Sequence, residues 1–333
     1  MNGRSLRGRV LALGLMAIAG VALLSGAPHV VRADQKPYTF TTIDFPGANV
    51  TQLYGINPGG DIVGTYQNAA PAKQNHGFVL KAGNFTSLDF PGSDIDYSIA
   101  TAIGPSGDIV GYYGLKSGPP TNGHGFLLTK QGEWTDIGNP GALTPVPEMS
   151  PSPFRILPDG TMVGCFHYAT ATGAYTSMHG FTLEPDGTFS RFDYPADGVS
   201  FAMHYGATPN GKTIVGQYMV GAASHGYILS RDSGEVVTFD VPGSTYTVAS
   251  DINAAGIIAG MYRKPGEAGA IRHGFVLDRR NSTNQADWHY TTVDVPGASI
   301  TRIRGMNAGG DIVGDYVGTD GNNHGFVASR AGN

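Results

Sequence analysis

One order of strand-like pieces recurs six times along this chain, and it limits the fold more than any other feature of the sequence. The clearest copy runs from Thr51 to Phe90. It reads Tyr54-Gly55-Ile56-Asn57, a Pro-Gly-Gly turn, Asp61-Ile62-Val63-Gly64-Thr65-Tyr66, a loop, His76-Gly77-Phe78-Val79-Leu80, a Gly turn, and Phe85-Thr86-Ser87-Leu88-Asp89-Phe90 before Pro91-Gly92. β-Branched and aromatic residues fill the pieces, and Gly, Pro, Asn and Asp fill the gaps, so each copy reads as four strands, A to D. Strand B returns around Val110-Gly111, Val163-Gly164, Val215-Gly216, Ala259-Gly260 and Val313-Gly314. Strand C returns at His124, His179, His225, His273 and His324, each followed by Gly and then Phe or Tyr. Successive strand C histidines, counted from His76, lie 48, 55, 46, 48 and 51 residues apart.

A four-stranded unit of this length is a propeller blade. The two ends of the array are complementary. Phe40-Thr41-Thr42-Ile43-Asp44-Phe45 is a strand D with no A, B or C before it, and Val327-Ala328-Ser329 ends a strand C with no D after it. The expected fold is therefore all-β: a six-bladed β-propeller over residues 34–333, four strands per blade, closed by the N-terminal strand completing the last blade. Closure removes the exposed edges that the alternative, an open β-solenoid, would keep.

The His-Gly-Phe and Ile-Val-Gly pieces resemble the HAF family of extracellular repeats, named for a His-Ala-Phe motif. In all six copies here Gly stands where that family has Ala. The resemblance spans nearly the whole chain after the leader and implies a fold unit, with no catalytic residue to carry over. The Trp-Asp signature of WD40 blades is absent.

Residues 1–33 read as a signal peptide. Arg4, Arg7 and Arg9 precede an apolar stretch from Val10 to Gly26, and Val31-Arg32-Ala33 offers a small-residue cleavage site. A retained anchor is the alternative. The expected location is secreted or periplasmic, with no membrane-embedded part after cleavage. Without Arg4, Arg7, Arg9 and Arg32 the remaining chain has 17 basic against 26 acidic residues, a net charge of −9, which argues against nucleic acid as a partner. Cys165 is the single thiol, so no intrachain disulfide can form.

Residues that recur in every blade are expected to serve what every blade needs. The strand D aspartates Asp44, Asp89, Asp193, Asp240 and Asp294 are assigned to turn N–H groups, and the histidines to a neighbouring blade or turn. Runs such as Asn307-Ala308-Gly309-Gly310 open no helix and read as hairpin turns, not phosphate loops. Neither a Gly-x-Ser-x-Gly elbow nor a His-Glu-x-x-His pair occurs.

Candidate site residues are those where one blade breaks the pattern, on the face carrying the variable B-to-C loops. In blade 3, Gly138 replaces the strand D Asp, residues 142–153 form a Pro-rich link, and Cys165 and His167 share one side of strand B. In blade 6, Arg302 and Arg304 alternate along the innermost strand, and Asp315 stands where other blades have Thr65, Tyr112, Cys165, Gln217 and Met261. His204 lies on a strand A and Asp96 in a D-to-A loop. Two arginines with His204 suit a carboxylate or sulfate; pairing of both arginines with Asp315 is the alternative. The leading expectation is a monomeric, non-catalytic binding module for a glycan, an envelope component or a protein, without cofactor. One alternative is a lactonase-, esterase- or lyase-like enzyme with a site at the channel mouth. A lactonase would need Ca²⁺ on inward acids, of which strand A supplies chiefly Asp251. Another is a repeat lectin using Tyr66, Tyr113, Tyr218, Tyr262 and Tyr316.

Overall fold

The structure, a computed structural model, describes residues 38–68, 74–117, 123–138, 149–169, 175–279 and 282–330. The expected signal peptide at 1–33 and the first part of the Pro-rich link, 142–148, lie outside the described residues. β1 (Tyr38–Ile43) comes first. It is followed by β2 (Ala48–Ile56), β3 (Ile62–Asn68), β4 (Asn75–Lys81) and β5 (Asn84–Leu88), which pair in sequence as unit 1. Unit 2 is β6 (Ile95–Ile103), β7 (Ile109–Leu115), β8 (Gly123–Leu128) and β9 (Trp134–Asp136). Unit 3 is β10 (Met149–Ile156), β11 (Met162–Ala169), β12 (Tyr175–Leu183) and β13 (Phe189–Phe192). Unit 4 is β14 (Val199–Ala207), β15 (Thr213–Val220), β16 (Ala223–Ser230) and β17 (Val236–Phe239). Unit 5 is β18 (Tyr246–Ile252), β19 (Ile258–Arg263), β20 (His273–Asp278) and β21 (His289–Thr292). β22 (Ile300–Met306), β23 (Ile312–Val317) and β24 (Asn323–Arg330) supply three strands of unit 6. β1 supplies the fourth, antiparallel to β24 from Tyr38↔Arg330 to Ile43↔Gly325. The fold is an all-β propeller type.

The recurring motif is explained by sterics. A Cβ on the Gly of each strand B would lie about 2 Å from a carbonyl oxygen of the first strand: 2.1 Å from Gln52 at Gly64, 1.9 Å from Met203 at Gly216 and 1.9 Å from Arg302 at Gly314. The same Cβ would press on the ring that follows His-Gly in strand C, at 2.9 Å for Phe78. Those rings (Phe78, Phe126, Phe181, Tyr227, Phe275 and Phe326) are fully buried. The Gly of Val-Gly thus makes room for the Phe of His-Gly-Phe, one strand away.

The histidines and strand D aspartates pair with each other, which corrects their separate assignment to turns and neighbouring blades. His76 Nδ1 meets Asp89 at 3.0 Å, His225 meets Asp240 at 2.8 Å, His273 meets Asp294 at 2.7 Å, and His179 meets Asp193. In unit 2 the break at Gly138 is repaired two residues earlier, where Asp136 lies 3.6 Å from His124. His324 of β24 pairs at 2.8 Å with Asp44, just after β1. A Tyr from strand B covers most of these imidazoles: Tyr66 on His76 at 5.1 Å and Tyr218 on His225 at 5.1 Å. The other face of that Tyr stacks on the aromatic residue that ends the preceding strand D, as Phe45 does on Tyr66 at 3.6 Å and Tyr194 on Tyr218 at 3.6 Å. Tyr66, Tyr113, Tyr218 and Tyr262 are buried by this arrangement, so they offer no exposed platform for a sugar.

The core lies between units. Each buried apolar cluster draws on two neighbours, as where Val215 and Ile228 of unit 4 meet Ile258 and Phe275 of unit 5. Val313 of unit 6 packs with Leu53 and Ile62 of unit 1, so the last unit touches the first. Pro151 and Pro153 belong to β10 rather than to a link, which shortens the expected Pro-rich segment. β10 ends its sheet and pairs with β11 alone, and an edge strand tolerates Pro because one side of its backbone carries no ladder bond.

Candidate functional site

Every unit's first strand carries a register shift near its end. The residue skipped is Tyr54, Thr101, Phe154, Tyr205, Ser250 or Arg304. A bulge leaves one residue unpaired and turns its side chain out of the sheet. Here all six point into one cavity of ≈ 210 Å³, whose wall is completed by Tyr112, Met261 and Arg155. The scaffold repeats while this lining does not: the same structural position holds two Tyr, one Phe, one Thr, one Ser and one Arg.

The residue after each bulge is Gly55, Ala102, Arg155, Gly206, Asp251 or Gly305. Small residues are required where first strands close on one another. A Cβ at Gly55 would sit 2.9 Å from the Ala102 Cα, and one at Gly206 would sit 2.6 Å from the Asp251 Cα. The two exceptions bond to each other. Arg155 Nη2 lies 2.6 Å from Asp251 Oδ2, and Arg155 Nε donates to Asp251 Oδ1 at 3.0 Å. Arg155 Nη2 also donates to the Arg304 carbonyl at 3.1 Å, and Asp251 accepts the Met306 and Ile252 amides at 2.8 and 2.9 Å. One ion pair therefore ties units 3, 5 and 6 together. A second cavity, ≈ 100 Å³, lies at the turns after the first strands, where Pro58, Pro105, Pro158, Pro209, Ala254 and Ala308 gather. Arg155 lines both cavities, so its ion pair stands between them.

Arg302 and Arg304 both bond Asp315, at 2.7 and 2.5 Å, the arrangement weighed as the alternative to an anion site. Asp315 is fully buried beneath them. The Arg304 guanidinium lies 4.5 Å above the Tyr54 ring. Burial works against its charge, but the neighbouring Asp315 carboxylate outweighs that and holds its proton more firmly than usual. Arg304 faces the cavity, and His204 is not in its lining. His204 is buried against Phe192, with Nδ1 at 2.5 Å from the Tyr227 hydroxyl. That hydroxyl donates to the Met203 carbonyl at 2.9 Å, so the imidazole is the donor in the shorter bond. Burial pulls its pKa down to about 3, so it is neutral.

Cys165 and His167 do share a side. They line a third cavity of ≈ 250 Å³ with Tyr97, Met178 and Met203, and Tyr112 and Phe154 belong to this cavity and to the ≈ 210 Å³ one. Burial raises the Cys165 thiol well above its ordinary range and lowers His167 to about 4. A neutral thiol beside a neutral imidazole is not an activated nucleophile. Asp96 is exposed and lies within β6, at its first register shift, rather than in a loop. Among the described residues no three His, Cys, Asp or Glu side chains converge as metal ligands would, and no helix is long and apolar enough to cross a membrane.

Arg155, Ser250, Tyr205 and Phe154 were not identified from the sequence. The available signal was the large-then-Gly step at Tyr54-Gly55, Tyr205-Gly206 and Arg304-Gly305, broken at Phe154-Arg155 and Ser250-Asp251.

No protein-family model and no curated protein matches the chain. Among solved structures it is similar to a putative TolB from Agrobacterium tumefaciens (TM-score 0.54, 10% identity, 88% of this chain and 97% of that one). It is also similar to TolB from Acinetobacter baumannii (TM-score 0.51, 16% identity), where the match covers 81% of this chain and 63% of that one, under two thirds of its length. At such identities the likeness is one of fold, and it is to propellers.

Proposed function

We propose that the chain is an exported, six-bladed HAF-type propeller, closed by β1, that works as a non-catalytic binding module for a glycan, an envelope component or a protein. The pairing of β1 with β24 and of His324 with Asp44 supports closure. The observation that carries the binding reading is the division of labour among residues. Those that recur are taken up by His–Asp pairs, ring stacks and Gly–ring contacts, whereas those that differ between units line the cavities. Cys165 and His167, the residues nearest to a nucleophile and base, are both held neutral by burial.

The test is binding of the purified mature chain to a glycan array and its co-sedimentation with peptidoglycan sacculi. Retention on either, lost when the loop-face residue Asp96 and its neighbours are exchanged for alanine, is the expected result. No retention on either surface defeats the glycan and envelope forms of the reading. The metal-dependent enzyme makes a separate prediction, a rise in melting temperature on adding CaCl₂.

A further inference from the structure

We infer that the ≈ 210 Å³ cavity is a binding site for a small aromatic carboxylate, a deeper reading of the binding function proposed above.

Four aromatic rings, Tyr54, Tyr112, Phe154 and Tyr205, line the ≈ 210 Å³ space together with Met261. Flat apolar walls of this kind hold a planar ring by offset or edge contacts. Burial raises the phenols of Tyr112 and Tyr205 well above their ordinary range, so both stay neutral. Tyr112 and Phe154 also line the third cavity, so these two rings stand between the two spaces.

The charges do not cancel. Arg155 is matched by Asp251, but Arg302 and Arg304 share the single carboxylate of Asp315. His167, in the adjoining cavity, is neutral near pH 7, so this group of three arginines and two carboxylates keeps one excess positive charge, which Arg302 and Arg304 share, and of those two Arg304 faces the cavity. One excess charge in a poorly solvated space favours a monoanion and disfavours a cation. A phosphate monoester would bring more negative charge than the cavity can offset.

Ser250 supplies the second anchor. Its side chain is one of the six that line the cavity; the residue is 4% exposed, and its Oγ has no hydrogen-bond partner among the described residues. Such a group in a native fold calls for an explanation, and a ligand oxygen provides one. The other hydroxyl of the six skipped residues outside the tyrosines, that of Thr101, is already taken by the Val110 and Pro153 carbonyls. With so few polar anchors a sugar would bury most of its hydroxyls unmatched, whereas an aromatic acid presents one polar group and one apolar body.

The experiment is isothermal titration of the full chain with benzoate, 4-hydroxybenzoate and indole-3-acetate, beside the neutral benzamide and the cationic benzylamine. Saturable binding of at least one acid is expected, with benzamide roughly tenfold weaker because it forgoes the charge-assisted bond to Arg304. Benzylamine should show none. Ser250→Ala should weaken the acid several-fold while leaving the melting temperature in place, and Tyr205→Leu should weaken acid and benzamide alike. If Tyr205→Leu does not fold, Ser250→Ala decides alone. Equal or tighter binding of benzamide or benzylamine overturns the inference. So does the absence of saturation by every acid, or affinity unchanged in Ser250→Ala. These outcomes are independent of the loop face: retention on sacculi or glycans without acid binding sinks the cavity site alone, and acid binding without retention sinks the loop-face reading alone.

Discussion

The ion pair between Arg155 and Asp251 gives the sharpest quantitative test. Their side chains are 12% and 6% exposed, so the pair is buried and solvent screening does not reduce it to the near-zero value of a surface bridge. Replacing Arg155 by Met keeps volume but leaves the carboxylate uncompensated, which costs about 3–5 kcal/mol. Asp251 keeps the Ile252 and Met306 amides, which places the loss toward the lower end of that range. Asp251→Leu strands the guanidinium and both amides, so it should be the worse single change. The double variant Arg155→Met/Asp251→Leu removes both charges and should be more stable than Asp251→Leu, although the two amides remain unsatisfied at roughly 1–3 kcal/mol each. At about 2 °C per kcal/mol for a domain of this size, Arg155→Met should melt roughly 6–10 °C below the parent. Urea unfolding followed by the fluorescence of Trp134 and Trp288 measures all four proteins. A loss under about 1 kcal/mol in Arg155→Met, or a double variant whose loss equals the sum of the two singles, would show that the two charges do not stabilise each other.

Further outcomes follow from other contacts. Removing residues through Ile43 deletes β1 and its Phe40–Phe326 contact and should cost at least about 3 kcal/mol, whereas Asp44→Ala breaks only a half-exposed pair and should cost at most about 1 kcal/mol; equal stability of the truncated and full chains by urea titration would contradict closure by β1. Burial lowers His167 and His204 to about 4 and 3, so the unfolded chain takes up protons the folded one refuses as pH falls below about 6.5, and stability should fall on the acid side. His273 and His324 act in the opposite sense. Burial lowers them, but bonds to Glu267, Asp294, Asp44 and Asp320 raise them overall, so their contribution is full below about 6.5 and lost as pH rises through the folded value. Melting temperature against pH should therefore decline from about 6.5 toward 4, and His204→Gln, which keeps a donor to Tyr227, should flatten that decline; an unchanged slope would count against it. Cys165 should resist an aromatic disulfide reagent in the native protein and react once in guanidinium, and fast native labelling would show an accessible thiolate.

Much of the scaffold was legible in the sequence because its causes act within one unit. Val-Gly and His-Gly-Phe are neighbours across a strand pair, and Tyr66, Gly64 and Phe78 meet inside one 40-residue copy, so six copies print the same constraint six times. Even the apparent exception at Gly138 obeyed it, since Asp136 reaches His124 from two residues earlier. The candidate site was legible only in part. Arg302, Arg304 and Asp315 announced themselves by breaking a pattern, and Cys165 and His167 by their spacing. His204 misled because its place on strand A was assigned without a register: it matches Ile303 of unit 6, one residue before the skipped position. The shift falls immediately after it and sends Tyr205, rather than His204, into the cavity.

The repeating unit, its four strands and the complementary ends that let β1 complete the last one can all be read along the chain. These rest on local sterics and period, which survive in any arrangement that stacks the units. Tertiary structure alone decided the site. Six bulges aim Tyr54, Thr101, Phe154, Tyr205, Ser250 and Arg304 at a common point because units packed side by side bring their first strands together. Arg155 finds Asp251 96 positions away because the two residues that replace small ones on first strands face each other across that point. The position recurs in every copy, but which side chains meet there, and that Arg155 meets Asp251, depends on how the units pack and has no spacing along the chain.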